Sequence, residues 1–393
     1  MIRDLASATV ARMIELRRDL HRHPELSWDE ERTMSRISAH LTELGVSHRT
    51  GVAGTGIVAD IQGREGGTAV ALRADTDALP VHEETGLPFA SQNPGVMHAC
   101  GHDGHSSMLV GAAELLMANP PPVPVRLLWQ PAEEVGRGAL AMVEAGALEG
   151  VGMIFGGHVD RHYPPGTLVV TEGVVNASTD TFTVRFNGQQ GHGGRPHESL
   201  DAVVVGSLFV TALQTIVSRE VDPSHPSVVS VGRFDAGTAP NVIAGQAELQ
   251  GTIRSHDRAV RDHLCGAIKR MAHAIGQLHG AKVEVEIIHG TPPLRNAALP
   301  TALARRAAVT VVGDANVEPL RVANMGGEDF AWYLDHVPGA YIRYGTQVEG
   351  REGFPAHSGG FDIHEGALAI GAQWLDQVAR VAGEHLAGRT DAA

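Results

Sequence analysis

Residues 96–116 read VMHACGHDGHSSMLVGAAELL, and their first half crowds three histidines, a cysteine and an aspartate together. Cys100 and His102 stand two apart, which puts both side chains on one side of an extended segment. A thiolate and an imidazole so placed suit a zinc ion, and manganese, cobalt or nickel with less preference. The alternative is a buried cysteine beside surface histidines. His98 and His105 read as bystanders or as supports for the ligands.

A second set lies in LLWQPAEEVGRG, where Glu133 and Glu134 follow a strand-like run. Two adjacent carboxylates in a buried site repel, and one stays protonated unless a cation sits beside them. With a cation present, one carboxylate could bind it while its neighbour takes a proton from attacking water. An exposed acidic loop is the competing explanation. His158 ends the apolar run GMIFGGHV, His357 and His364 lie in AHSGGFDIHEGAL, and Asp75 and Asp77 end the strand of LRADTDALP. The aspartates suit metal binding or support of a ligand; an Asx turn before Pro80 would explain them equally. Each signal is moderate alone. Together they fall at strand ends, where open α/β sheets place their sites.

A third set is distant in sequence. GQQGHGGRPHESLDA puts His192 in a glycine-rich turn before a helix, TAPNVIAG puts Asn241 in a turn, and GTIRS ends a strand at Arg254. An arginine with an amide and an imidazole could hold a carboxylate and a carbonyl oxygen. Ordinary surface polarity accounts for each one singly.

Scattered groups need elements to gather them. Helical spacing over residues 5–20 sets Leu5, Met13, Leu16 and Leu20 on one stripe, and a second helix is expected from about Glu30 to Leu44, stopped at Gly45. Strand runs TGIVADIQG, GTAVALRAD, VRLLWQ and MIFGGHV alternate with helices, which predicts a layered α/β domain. The pattern changes near Asn176. TDTFTVRFNGQ, a long apolar helix, SVVSVGRFDAG, AELQGTIRS, an amphipathic helix over 257–279 and AKVEVEIIHG follow in the order β-α-β-β-α-β. That order predicts a small split-βαβ α+β sandwich, inserted over residues 178–290. Residues 1–177 and 291–393 then form a discontinuous catalytic domain. The tail AGRTDAA is expected to fray.

The totals narrow the function. The 393 residues suit two domains, and 31 basic against 45 acidic residues give a net charge of −14. Without a basic run, nucleic acid is an unsuitable partner. Two cysteines, Cys100 and Cys265, cannot build a disulfide framework and suit a reducing compartment. The first 26 residues lack the unbroken apolar centre of a signal peptide, and no window reads as 18 apolar residues. The expectation is a cytoplasmic protein without a membrane partner.

The chain resembles the metal-dependent amidohydrolases and peptidases that include aminoacylases, hippurate hydrolases, plant auxin-conjugate hydrolases and glutamate carboxypeptidases. It is most similar to the hippurate and auxin-conjugate branch. The likeness runs from RRDLHRHPELSWDE through LRADTDALP, HACGHDGH, QPAEE, GGHV, GHGGRPH, APNVI, GTIRS and GGEDFAWYL to HSGGFDIHEGAL. It implies two divalent metal ions per subunit, with Cys100, His102, Glu134, His158 and His357 at the ligand positions. It implies that Glu133 is the general base and Asp77 a carboxylate that supports the ligands, and it gives Asp75 no ligand role. His192 matches a histidine that reaches the active site of the partner subunit, and Asn241 and Arg254 match substrate-binding positions. Relatives usually carry proline at Gly359, so a looser backbone is expected beside His357. Arg161, His162 and Tyr163 are bulkier than the pattern and are expected to reshape the pocket rim.

The activity implied is hydrolysis of N-acyl amino acids to a carboxylic acid and a free amino acid, by a homodimer formed through the inserted domain. A dipeptidase or carboxypeptidase on the same scaffold is the alternative. A metal-dependent small-molecule binding protein without catalysis would have no use for the second glutamate. A structural zinc site would be closed by four nitrogen or sulfur ligands, which this carboxylate-rich set is not.

Overall fold

The computed structural model describes residues 6–351 and 353–390. Leu5 and residues 391–393 of the tail lie outside them. By their contacts the residues form two compact units: Met1–Val175, Arg295–Val322 and Asp329–Ala393 in one, Asn176–Leu294 and Ala323–Glu328 in the other.

The first unit is built on an eight-stranded mixed sheet in the order Ser47–Val52, Gly56–Ile61, Val125–Gln130, Ala69–Asp75, Val151–Asp160, Gly339–Gly345, Leu168–Val169, Val317–Glu318. Four central neighbours, from Val125–Gln130 to Gly339–Gly345, run parallel. Strands covered on both faces read as near-continuous apolar runs, and every residue of Ala69–Asp75 is buried. The edge strand Ser47–Val52 carries no such run and is largely exposed, so its sequence, SHRTGV, gave no strand signal. Helix His102–Ala118 packs against Ser7–Arg22 and Gly366–Thr390. Its burial on nearly all sides explains why it is small and apolar all round. Residues 387–390 of the tail continue the last helix, Gly366–Thr390.

Buried Arg17 binds the first unit together. Its guanidinium donates to Asp103 at 2.9 Å, to Asp362 at 2.8 Å and to Glu365 at 3.3 Å. It thereby joins the first helix to the start of the His102 helix and to the segment just after His357.

The second unit is a four-stranded antiparallel sheet, ordered Ser227–Ala236, Gln246–Ser255, Ser178–Asn187, Lys282–His289. Helices Ala202–Thr215 and Arg258–His279 pack on it through Phe209, Leu213, Leu264 and Ile268, against Phe182, Val184 and Phe186. Asp201 caps the first helix by accepting the Val203 and Val204 N–H groups, and Asp257 caps the second through Val260. Asp180, fully buried, is gripped by Arg261 at 2.6 and 2.7 Å. Residues 323–328 join this unit because Ala177 N–H donates to Asn324 and Gly326 carbonyls.

One helix of this unit is unusually apolar. The helical stretch Ala202–Glu220, 19 residues long, is apolar and long enough to cross a membrane. Its inner face packs on the sheet, while Val203, Val204 and Leu208 make the outer face apolar as well and are 41%, 46% and 40% exposed.

Candidate metal centre

Three parallel strands deliver the site at their carboxyl ends. Ala69–Asp75 leads to Asp77, Val125–Gln130 leads to Glu133 and Glu134, and Val151–Asp160 carries His158 near its end. Cys100 and His102 arrive from the loop that opens the His102 helix. Gly101 caps that helix at φ +85°, and a Cβ there would lie 2.6 Å from a Val159 methyl, so only glycine fits. His357 comes from a loop late in the chain, at φ +66°, with its N–H donated to the Ala99 carbonyl at 2.8 Å.

These side chains converge. Cys100 Sγ is 3.3 Å from His158 Nε2, His102 Nε2 is 3.8 Å from Glu134 Oε1, and His357 Nε2 is 3.5 Å from Glu134 Oε2. Donor atoms of Cys100, His102 and His158 lie within 4.8 Å of one another, as do those of Cys100, Glu134 and His357. The two triads share Cys100. A tetrahedral ion with bonds of about 2.0–2.3 Å holds its ligands roughly 3.3–3.8 Å apart, so the spacing fits an ion of that size.

The histidines are preset to offer lone pairs. His102 Nδ1–H donates to the Asp77 carbonyl at 2.9 Å, and His158 Nδ1–H donates to the Val159 carbonyl at 2.8 Å. Each keeps Nε2 as an acceptor aimed into the cluster. Buried His102 Nε2 and Glu134 Oε1 have no hydrogen-bond partner, a costly state for polar atoms inside a protein. A cation held by each would satisfy both.

Electrostatics agree. Burial, reinforced by Asp77 and Asp75, outweighs the opposing His102 and pushes the Glu134 carboxyl up to about 7. Burial and Glu134 push the Cys100 thiol well above its ordinary value. Burial likewise lowers His158 well below the usual imidazole range, with His105 and Arg343 adding to it. Burial lowers His102 too, but Asp75, Asp77 and Cys100 prevail and raise it well above the usual imidazole range; a site whose acids resist ionising and whose carboxylates draw a proton onto an imidazole is short of positive charge.

Asp77 ties the cluster together from behind. Its carboxylate accepts the Glu133 N–H at 3.1 Å, the Glu134 N–H at 3.0 Å and the Ser27 hydroxyl at 2.7 Å. Burial raises its pKa, but hydrogen bonds from His102 and Glu134 prevail and hold it below the ordinary value. Glu133 Oε2 reaches within 3.9 Å of His102 Nε2, and its Oε1 accepts the Asp329 N–H at 3.4 Å. Asp75 Oδ2 comes within 3.8 Å of His102 Nε2, but both its oxygens are taken, by Arg73 and His105 at 2.6 Å each. His98 is buried with neither ring nitrogen bonded, and burial lowers its pKa to about 4.

Two details differ from expectation. The backbone at Gly359 is tight, not loose: its carbonyl accepts the Glu84 N–H at 2.7 Å, and a Cβ there would meet the His82 carbonyl at 2.3 Å. Tyr163 is 2% exposed and its hydroxyl accepts the Arg321 N–H at 3.3 Å, so it is a core residue and not part of a rim.

The second unit holds the remaining predicted residues. The two-residue strand Gly191–His192 pairs with Val242–Ile243, and Gly193 N–H donates to the Asn241 carbonyl at 2.8 Å. His192 and Asn241 are therefore neighbours, both exposed. His192 Nδ1 accepts the Gly194 N–H at 2.9 Å, which leaves Nε2–H as an outward donor in the neutral ring. Arg254 is partly buried on Gln246–Ser255, has no ion-pair partner among the described residues, and has its pKa lowered by that burial. It lies eight residues beyond Gln246, so roughly 26 Å of strand separates it from the end nearest His192 and Asn241.

A layered α/β fold with paired carboxylates, a thiol and imidazoles at the carboxyl ends of parallel strands is that of an amidohydrolase. Residues 71–381 match the model of peptidase family M20/M25/M40, and the chain belongs to that family. It is 39% identical to the N-acetylcysteine deacetylase of Bacillus subtilis, over 94% of this chain and 96% of the relative. It is 38% identical to thermostable carboxypeptidase 1 of Saccharolobus solfataricus, over 92% of each chain. The solved Bacillus subtilis YXEP protein, described as a dinuclear metal binding peptidase from the M20 family, superposes with a TM-score of 0.84. That match is at 35% identity and covers 96% of this chain and 99% of that one.

Proposed function

We propose that the protein hydrolyses the amide bond of N-acyl amino acids with the help of two divalent cations. One observation carries this reading: the orphaned His102 Nε2 and Glu134 Oε1 face each other at 3.8 Å inside a cluster that also holds Cys100, His158 and His357. The ions would supply Lewis acidity toward water and the scissile carbonyl. Cys100, His102 and His158 would hold one, and Cys100, Glu134 and His357 the other.

The chain's own groups do the rest. Glu133 takes the proton of the attacking water and returns it to the leaving amine nitrogen. Asp77 sets the direction of both adjacent glutamates through their N–H groups. His192 donates Nε2–H to the oxygen that gains charge as the carbonyl becomes tetrahedral. Arg254 binds the carboxylate of the amino-acid half, which suits a partly buried guanidinium with no ion-pair partner among the described residues.

His192 with Asn241 and Arg254 stand at opposite ends of one strand. That arrangement supports a homodimer in which one subunit supplies His192 and Asn241 to its partner's site. The outward Val203, Val204 and Leu208 on one helix, and the edge strand Ser227–Ala236, support assembly through the second unit.

The test is hydrolysis of acetyl, benzoyl and indole-acetyl amino acids against a dipeptide panel. The protein is assayed metal-free and after reloading with Zn²⁺, Mn²⁺, Co²⁺ or Ni²⁺. Turnover of N-acyl amino acids that disappears with chelator is expected. The related carboxypeptidase favours one second reading, and preference for dipeptides would establish it. Activity untouched by chelator, or none toward either panel, would remove the proposal.

A further inference from the structure

We infer that His105 is a positioning residue of the metal centre, strapping together two sheet strands where they part and so holding His158 at its ligating angle. The inference rests on the metal-binding reading above.

Strands Ala69–Asp75 and Val151–Asp160 pair in parallel only as far as Leu72 and Phe155. Beyond that point the ladder stops, and Asp75 and Val159 face a gap. The His105 imidazole fills it. Its Nδ1 lies 2.6 Å from Asp75 Oδ1, and its Nε2 lies 2.9 Å from the Val159 nitrogen. An ionised carboxylate only accepts and an N–H only donates, so the tautomer is settled: Nδ1 carries the proton and Nε2 accepts. Both ring nitrogens are thus engaged within the protein. Although His105 shares a 4.8 Å cluster with Asp75 and His102, it has no nitrogen to offer a cation.

The strap acts on His158 through one residue. Val159 gives its N–H to His105 and takes the His158 Nδ1–H on its carbonyl at 2.8 Å. Its methyl occupies the space above Gly101, between Cys100 and His102. The His105 ring also packs edge-on against His158, with centroids 4.8 Å apart at 71°, and lies 5.5 Å from His102. The other anchor is firm. Asp75 is held by Arg73, and Arg73 in turn donates to Gln130 at 2.7 Å and Asp329 at 2.8 Å, all of them buried.

Two substitutions divide the strap. His105→Asn keeps a donor near Asp75 but falls short of Val159. His105→Gln places an acceptor near Val159 and gives Asp75 nothing. The measurement is Zn²⁺ affinity of the metal-free full chain, by competition with a chromophoric chelator, alongside the absorption bands of the Co²⁺ form. Supporting groups behind a ligand change metal affinity by about 10–100-fold. Each change severs the strap at one end, so both should weaken one of two zinc sites by that amount and shift the Co²⁺ bands. In a His158→Ala background, His105→Asn should add no further loss.

His105→Asn binding zinc like the unaltered chain, while His158→Ala is weakened, would overturn the inference and leave the metal centre standing. Losses from His105→Asn and His158→Ala that multiply would also overturn it. If His105→Asn does not fold, His105→Gln decides: zinc affinity like that of the unaltered chain refutes the strap. If His158→Ala binds zinc normally, the metal-centre reading falls and the strap falls with it.

Discussion

Cys100 and His357 meet. Their ligand atoms lie within 4.8 Å of one another with a Glu134 oxygen, although they come from the opening of one helix and a loop near the far end of the chain. Such a meeting of a thiol, an imidazole and a carboxylate stabilises the folded state only when a cation is shared among them. Removal of metal by chelator should therefore lower the melting temperature as well as abolish hydrolysis, and added Zn²⁺ or Mn²⁺ should restore both. A ligand present at about 100 times its Kd adds about 2.7 kcal/mol of stability. Differential scanning fluorimetry across a metal titration reads it.

Replacing Glu133 by glutamine removes the proton acceptor and keeps the volume. Turnover should fall by about 10²–10⁴-fold, the usual worth of a positioned general base. Metal content by atomic emission should stay that of the unaltered protein, since the proposed ligands are other residues. Near-normal hydrolysis would show that the proton goes elsewhere.

Asp77→Ala should act on metal first. The change removes the acceptor for Glu133 N–H, Glu134 N–H and the Ser27 hydroxyl together. Zinc affinity should drop by about 10–100-fold. Activity should recover partly at saturating metal, whereas Glu133→Gln should not recover at all.

Mixing two inactive variants tests the shared site. Glu133→Gln retains His192, and His192→Ala retains Glu133. If subunits exchange and assort freely, half the dimers are mixed and each rebuilds one complete site, giving about a quarter of normal activity. No recovery after co-refolding would mean that each subunit uses its own His192. Leu208→Asp, on the outward helix face, should yield a monomer by sedimentation and lose activity with it.

Acid should unlock the second unit through Asp180. Burial raises that carboxyl, but the Arg261 bonds and His289 prevail and hold it below its ordinary value. A depressed acid contributes stability above its unfolded pKa, about 3.9, and loses it as pH falls through the folded value. Urea midpoints of the metal-free chain should therefore decline below about pH 4. Asp180→Asn should cost about 3 kcal/mol at pH 6, leaving Arg261 without its partner, and should flatten that decline.

Much of this was legible in residue order because burial on both faces leaves a mark. The strands that carry Asp77, Glu133, Glu134 and His158 are apolar runs ended by polar residues, and each is where the run implies. The antiparallel strands of the second unit alternate in plain view. The strand Gly339–Gly345, buried throughout, and the helices Ala298–Val312 and Gly366–Thr390 were open to the same reading and went unread; two other pieces have no side-chain pattern. Ser47–Val52 pairs through its backbone alone, and residues 323–328 join the second unit through carbonyls. The site divides the same way. Ligand types were visible, but the carbonyls of Asp77 and Val159 that preset two histidines belong to no residue type. His105 stayed ambiguous because a supporting histidine and an idle one look alike until their partners are known. Gly359 misled because a glycine signals either slack or crowding, and here a carbonyl crowds it.

The strand Gly339–Gly345 lies between Val151–Asp160 and Leu168–Val169, yet it leaves the ribosome after the whole of Asn176–Leu294. During synthesis the first sheet therefore waits with an open middle while the second unit emerges and can close on itself. Cys100, His102, Glu134 and His158 are all translated before that interval and His357 after it, so a nascent chain holds four of the five proposed ligands but not the last. Completion of the second proposed triad is in this sense a late event in the life of each molecule, and a chain stalled before residue 339 would leave an unpaired strand edge in the first sheet.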